Sequence, residues 1–340
     1  MYCKLLEKGF SIQVDGTYSP CCQFEWQHES PTDFETFKKL RSDKHQEMMS
    51  TDWIPECRWC KQDHTFKGES MRDHVNATVE GNFWELWFSN TCNLACRMCN
   101  SALSSTWQQI IKRNPHLEWD KNFNMSTQVT HYKFQETEFF NDLPNTKHLK
   151  LLGGEPMLIK EVKKVLQYVL DNNFADQINL HLTTNLTQSV DDWWIDVFKS
   201  FKTVRVIGSV DGLGRRYEYI RPGSNFDIVV KNAQVLKDLS QKIKHLSFII
   251  SCTGQTLTAF QHKDIYKFWQ KHDLEVDIEQ LYYPEFMSYR SLNPTLRKLY
   301  GIESELEYDP KQFEQLVKHM KIQDQIHGTS FYTEFSELFE

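Results

Sequence analysis

From residue 84 onward this 340-residue chain alternates short β-like runs with helical ones, and that alternation narrows the fold more than any other feature. Runs of strand character fall at 84–89, 148–152, 178–183, 204–210, 246–252 and 274–281. Leu180 and Leu182 alternate with His181, and Val276 and Ile278 with Asp277, the period of a half-buried strand. Between two of these runs, Leu158, Val162, Val165, Leu166 and Val169 recur at helical spacing over 157–170, with Pro156 near the start. Six strands joined by five crossovers predict a parallel sheet curved into an open barrel, with active-site groups at the carboxyl ends of the strands. The sequence shows no internal repeat and no low-complexity segment.

The first strand, within Phe83-Trp84-Glu85-Leu86-Trp87-Phe88, runs almost directly into Cys92, Cys96 and Cys99, spaced C-x3-C-x2-C. Cysteines at such intervals also suit one face of a buried helix, but Asn93, Arg97 and Asn100 break the apolar pattern. Three thiolates in eight residues hold a soft metal centre more readily than they form a disulfide. A closed four-iron cluster takes four cysteines, so this triplet leaves one position open to a substrate or cofactor.

The triplet after a first strand resembles the signature of the radical S-adenosylmethionine (radical SAM) superfamily. The resemblance implies a [4Fe-4S] cluster held by Cys92, Cys96 and Cys99, with S-adenosyl-L-methionine chelating the fourth iron. Met98 stands where the family often has an aromatic residue beside the adenine. Gly153-Gly154-Glu155-Pro156, at the end of the second strand, matches the family's G-G-E-P motif, which implies binding of the methionine amino group. Two glycines also permit close backbone approach, and a strand-to-helix turn would use the same residues. Thr183-Thr184-Asn185 is similar to the family's Thr-Asn-Gly turn, with Leu186 in place of the glycine. Ser209-Val210-Asp211-Gly212, then Arg221-Pro222-Gly223-Ser224, looks like the pattern of the peptide-modifying branch. Ser209, Asp211 and Arg221 are thereby candidates for the ribose and carboxylate of the cofactor, alongside Asn185. A strand-end turn and a surface arginine would account for the same residues.

Residues 1–80 read as a loop-rich, cysteine-bearing module. A short hairpin is predicted over 10–18 with Asp15-Gly16 as its turn. Phe34, Phe37, Leu40 and Met48 share one face of a predicted helix over 34–50. Cys3, Gly16, Cys21 and the pair Cys57-x2-Cys60 resemble a SPASM or twitch extension, here preceding the barrel and not following it. The resemblance implies an auxiliary [4Fe-4S] cluster on Cys3, Cys21, Cys57 and Cys60, with Cys22 an alternative to Cys21 because adjacent strand residues point opposite ways. A zinc knuckle of the same four cysteines remains open on spacing. Cys252 suits buried packing. The aromatic run around Tyr282, Tyr283 and Phe286 suits a pocket wall or an apolar barrel rim. A terminal helix is expected from Lys311 to Gln325, followed by a last segment from Phe331 to Glu340.

Together these readings give an α/β chain: a cysteine-rich module over 1–80, an open (β/α)6 partial TIM barrel over 81–300 and a helical tail over 301–340. A net charge of −7 argues against a dedicated nucleic-acid surface. Nine cysteines are too few for a disulfide scaffold, and the first ten residues carry Lys4, Glu7 and Lys8 with no apolar stretch behind them. No apolar run approaches the roughly 20 residues that span a bilayer. The expected compartment is the reducing cytoplasm. The resemblance implies an enzyme that cleaves S-adenosylmethionine to a 5′-deoxyadenosyl radical and takes a hydrogen atom from a peptide or protein side chain. Its implied partners are that substrate and an electron donor such as a flavodoxin or ferredoxin. A nucleotide or small-metabolite substrate, a cluster-bearing electron carrier and a non-enzymatic zinc or iron–sulfur protein are the rival readings.

Overall fold

The computed structural model describes residues 2–119 and 136–339; Met1 and Glu340 lie outside them. All six expected strands are present, with ends moved by a few residues. They are joined by two more from the N-terminal hairpin. In chain order the strands are β1 Gly9–Ile12, β2 Tyr18–Ser19, β3 Asn82–Trp87, β4 Thr146–Leu152, β5 Asn179–Thr184, β6 Thr203–Ser209, β7 Leu246–Gly254 and β8 Val276–Gln280. They form one sheet in the order β2-β1-β3-β4-β5-β6-β7-β8.

The hairpin closes through Gln13 N–H to Thr17 O at 2.9 Å, with Gly16 at φ +82° where a left-handed residue is needed. Its first strand then pairs in parallel with β3, Phe10 opposite Trp84. The six-stranded expectation is therefore extended to eight, because the N-terminal segment supplies sheet edge as well as loop. The pairs β1–β3, β3–β4, β4–β5 and β7–β8 are parallel, and β1–β2 is antiparallel. Among the described residues no pairing joins β8 to β2, so the sheet is open.

Period-two alternation places Trp84, Leu86, Leu149, Leu151, Leu180 and Leu182 on one fully buried face of β3, β4 and β5. Helix Phe34–Ser50 starts where Asp33 accepts from the N–H groups of Glu35 and Thr36, and it buries Phe37 and Met48. The second expected helix is shorter than its periodicity. Pro156–Leu158 forms a 3-10 turn, and the α-helix runs Lys160–Asp171 with Val162, Val165, Leu166 and Val169 buried. The long terminal helix is Pro310–His327, begun by Asp309 and ended by Gly328 at φ +64°. No described helix is long and apolar enough to cross a membrane.

By compactness the described residues fall into two units. Of these residues, one comprises 2–90, 136–182 and 193–205, and the other 91–119, 183–192 and 206–339. The segments 1–80, 81–300 and 301–340 are a partition by motif, whereas these units interleave along the chain.

Candidate functional site

The cysteine triplet occupies an irregular loop that its neighbours hold by hydrogen bonds. Ser104 Oγ donates to Leu94 O at 2.7 Å, Thr106 Oγ1 to Cys92 O at 2.7 Å, and Trp107 Nε1 to Cys96 O at 2.8 Å. Ser104 also caps helix Ser105–Arg113 by accepting from Trp107 N–H, so one serine both starts the helix and fastens the loop. From the other side, Ala95 N–H reaches Pro222 O at 3.0 Å and Arg97 N–H reaches Ile220 O at 2.9 Å. Gly223 lies at φ +95°, where an added Cβ would come within 3.1 Å of Asn93 O. The Arg-Pro-Gly-Ser stretch thus packs backbone to backbone on the cysteine loop.

Leu94 N–H reaches the sulfur of Cys92 at 3.5 Å, as does Asn185 Nδ2 at 3.9 Å. Asn185 also donates to Asn93 Oδ1 at 3.1 Å. Cys96 is buried, with Cys92 and Cys99 half-buried. The Cys96 thiol donates to Cys99, which raises the first and lowers the second; burial adds to the rise at Cys96 and opposes the fall at Cys99. The Arg221 guanidinium favours the thiolate at each of them. One cation beside two thiols stabilises the charge that a metal-bound thiolate carries.

Asp211 and Arg221 find each other. Both Nε and Nη2 of Arg221 reach Asp211 Oδ2 at 2.7 Å, and Asp211 Oδ1 accepts from Thr253 N–H at 2.6 Å. Burial is the largest single influence and opposes the Arg221 charge, but Asp211, Cys96, Tyr217 and Cys99 together outweigh it and hold the pKa well above the usual arginine value. Ser209 is half-buried at the end of β6. Cys252 is fully buried on β7, its thiol pushed up by burial and by Asp211.

The G-G-E-P segment is built separately. Gly153 sits at φ +136°, and a Cβ there would meet Ser89 O at 2.8 Å; Gly154 N–H donates to the same oxygen at 3.1 Å. Glu155 is fully buried and one carboxylate oxygen accepts from Met157 N–H at 3.1 Å, capping the turn at Pro156.

Cys3, Cys21, Cys57 and Cys60 line one cavity with Arg72, Trp53 and Phe24. Burial raises all four thiols, Cys60 to about 11, and the cysteines reinforce one another. Arg72 is buried over the Trp53 ring at 3.4 Å and acts in the opposite sense on Cys3, Cys57 and Cys60. Cys22 does not line that cavity. Its N–H donates to Glu85 Oε2 at 2.7 Å, and Lys150 Nζ lies 3.8 Å from its sulfur. Glu85 on β3 and Lys150 on β4 are opposite one another and joined at 2.8 Å.

Among the described residues, no three or more His, Cys, Asp or Glu side chains converge as a single-ion site. A cubane cluster asks for something else, since each thiolate binds a different iron corner. Three soft donors on one loop fit that group by their chemistry and by the cation held beside them.

The sheet is open and mostly parallel, and the three-thiol loop follows its third strand in sequence. A model of the radical SAM superfamily matches residues 88–262, more than half of the chain, and the chain belongs to that superfamily. Membership implies a [4Fe-4S] cluster and S-adenosylmethionine. Among solved structures the chain is similar to native anSMEcpe with bound AdoMet, at 20% identity over 72% of this chain and 61% of that one, TM-score 0.43. It is also similar to SuiB of Streptococcus suis bound to precursor peptide SuiA, at 12% identity over 92% and 59%, TM-score 0.38. TYW1 with a lysine–pyruvate adduct bound matches at 13% identity over 82% and 91%, TM-score 0.37. The chain therefore spans about three-fifths of the length of the anSMEcpe and SuiB structures. No curated protein matches it.

Sequence reasoning missed several residues of this site. Ser104, Thr106 and Trp107 fasten the loop, and the Ser-Ser-Thr run before a helix was the available signal. Arg97 and its partners had no such signal.

Proposed function

We propose that the protein is a radical SAM enzyme acting on a peptide or protein side chain. A [4Fe-4S] cluster held by the triplet together with S-adenosylmethionine would supply the reductive cleavage of that cofactor and, through it, hydrogen-atom abstraction from the substrate. Cys92, Cys96 and Cys99 would hold the cluster, and Gly153, Gly154, Glu155 and Pro156 the methionine end of the cofactor. Asn185 braces the loop at the Cys92 sulfur. Arg221, kept charged by Asp211, favours thiolate at Cys96 and Cys99, and Ser209 is the hydroxyl nearest in sequence for a ribose. The observation that carries the reading is the triplet itself, inside the family match and next to a buried guanidinium.

Cys3, Cys21, Cys57 and Cys60 would hold an auxiliary [4Fe-4S] cluster, a closed centre with no open iron. Their shared cavity supports Cys21 over Cys22 as the fourth ligand. The module 1–80 would then serve the barrel 81–300, with 301–340 a helical tail. The peptide substrate rests on the Ser-x-Asp-Gly and Arg-x-Gly-Ser pattern over 209–224. An electron donor such as a flavodoxin or ferredoxin would supply the reducing electron, and the cytoplasm suits clustered cysteines of this kind.

The test is anaerobic. Protein reconstituted with iron and sulfide is given S-adenosylmethionine and a strong reductant, and 5′-deoxyadenosine is assayed. Its formation, abolished in the Cys92→Ala, Cys96→Ala and Cys99→Ala variants, is the expected result. Fully loaded protein that forms none with reductant, alone or with candidate peptides, sinks the reading.

A further inference from the structure

Within the cysteine loop, between Cys96 and Cys99, stands a charged residue with no exposed surface. Arg97 is 0% exposed. Its Nε donates to Tyr219 O at 2.9 Å, and Nη2 donates to Thr329 Oγ1 at 2.7 Å and pairs with Asp324 Oδ1 at 3.1 Å. The guanidinium carbon lies 3.7 Å from the centre of the Tyr219 ring. Nη1 is buried without a hydrogen-bond partner. Burying a guanidinium is costly unless its partners are well placed, so a sequence that keeps one here is holding a geometry.

Asp324, on helix Pro310–His327, is the hub of that geometry. Beyond Arg97 it accepts from Tyr219 Oη at 3.0 Å, Thr329 Oγ1 at 2.6 Å and Phe331 N–H at 2.6 Å. Its neighbour Gln323, fully buried, donates from Nε2 to Arg97 O at 3.3 Å. Three parts of the chain therefore meet on one residue of the cysteine loop: the 219–222 stretch, the terminal helix and the turn after it. These contacts are hydrogen bonds and an ion pair of fixed direction, which apolar packing would not supply.

We propose that Arg97, Tyr219 and Asp324 are positioning residues for the cluster, and that the terminal helix, through Asp324 and Gln323, fixes the loop in the shape that lets the three thiolates bind it with one iron left open. This rests on the radical SAM reading of the triplet. It gives the tail a role at the cluster, where the sequence alone offered none.

The experiment compares wild type, Asp324→Asn, Arg97→Lys and the double variant Arg97→Met/Asp324→Leu, each reconstituted and reduced anaerobically. The readout is the electron paramagnetic resonance signal with and without added S-adenosylmethionine, which alters only a cluster with an open iron. Melting temperature is recorded alongside. Asp324→Asn and Arg97→Lys are expected to lose the SAM-sensitive part of the signal several-fold and to give up iron faster to a chelator. The double variant removes both buried charges together, so its melting temperature recovers toward wild type while the SAM response stays lost. Recovery of both together, or an undiminished response in Asp324→Asn, overturns the positioning role. Wild type with a full iron complement and no SAM response overturns the radical SAM reading instead, and this inference with it.

Discussion

At position 186 the chain departs from the glycine of the related turn, and the structure shows what the departure entails. Leu186 takes φ +60°, a left-handed conformation that a branched side chain rarely adopts. Its side chain is buried, and the space it fills is made by Gly208, where a Cβ would come within 2.6 Å of Leu186 Cδ1 and 3.1 Å of Phe248. Asn232 Nδ2 secures the strained residue by donating to Leu186 O at 2.8 Å. Gly208→Ala should therefore cost about 1–3 kcal/mol of stability from overpacking. Combined with Leu186→Ala it should cost less than the sum of the two single changes. Urea denaturation of the four proteins gives the coupling, and strict additivity would refute the packing account. Asp211→Asn leaves Arg221 buried without its counter-charge. It should destabilise the protein by about 3–5 kcal/mol in the same measurement, far more than loss of an exposed ion pair.

At the scale of elements, β3, β4 and β5 carry a polar face as well as an apolar one. Glu85, Lys150 and His181 lie in register across them, and His148 stacks between Phe83, at 5.4 Å, and His181, at 6.0 Å. Burial holds His148 down to about 4 and His181 to about 3, with Lys202 adding to the first and His148 to the second. Both folded values lie below the unfolded value near 6.5, so the fold favours neutral rings. Their contribution is complete above about pH 6.5 and is lost as the pH falls through the folded values. Replacing both with glutamine should flatten the decline in urea midpoint between pH 7 and pH 4. An unchanged slope would show that other groups govern it. The period-two pattern made these strands legible from sequence, because alternation is a local property. What covers the polar face was not legible. Glu85 is 1% exposed because a loop 63 residues earlier in the chain lays Cys22 N–H on its carboxylate, and nothing in the strand itself encodes that.

For the molecule as a whole, contiguous motifs pointed to the family and scattered contacts stayed hidden. The triplet, G-G-E-P and the four N-terminal cysteines are short-range patterns whose spacing carries meaning. The tie between Arg97 and Asp324 joins residues from opposite thirds of the sequence, and no spacing rule reaches that far. The eight-stranded sheet was hidden for the same reason, since the β1–β3 pairing is set by tertiary closure. The two thiol groups should also be separable by metal analysis. Cys57→Ala/Cys60→Ala should lose about half of the reconstituted iron while keeping the SAM-sensitive resonance signal, given one four-iron cluster at each group. Loss of both together would mean that the second group is not an independent centre.

The cavity of the four N-terminal cysteines is lined entirely by residues 3 to 75, and the triplet begins at Cys92. Translation adds residues in that order. A nascent chain that has cleared the ribosome as far as residue 80 already carries every thiol of that cavity and none of the triplet's. β1 at that moment still awaits its parallel partner β3. The timetable of synthesis thus sorts the two thiol groups before any chemistry does, and an assembly factor delivering iron and sulfide to the growing chain would meet them one after the other.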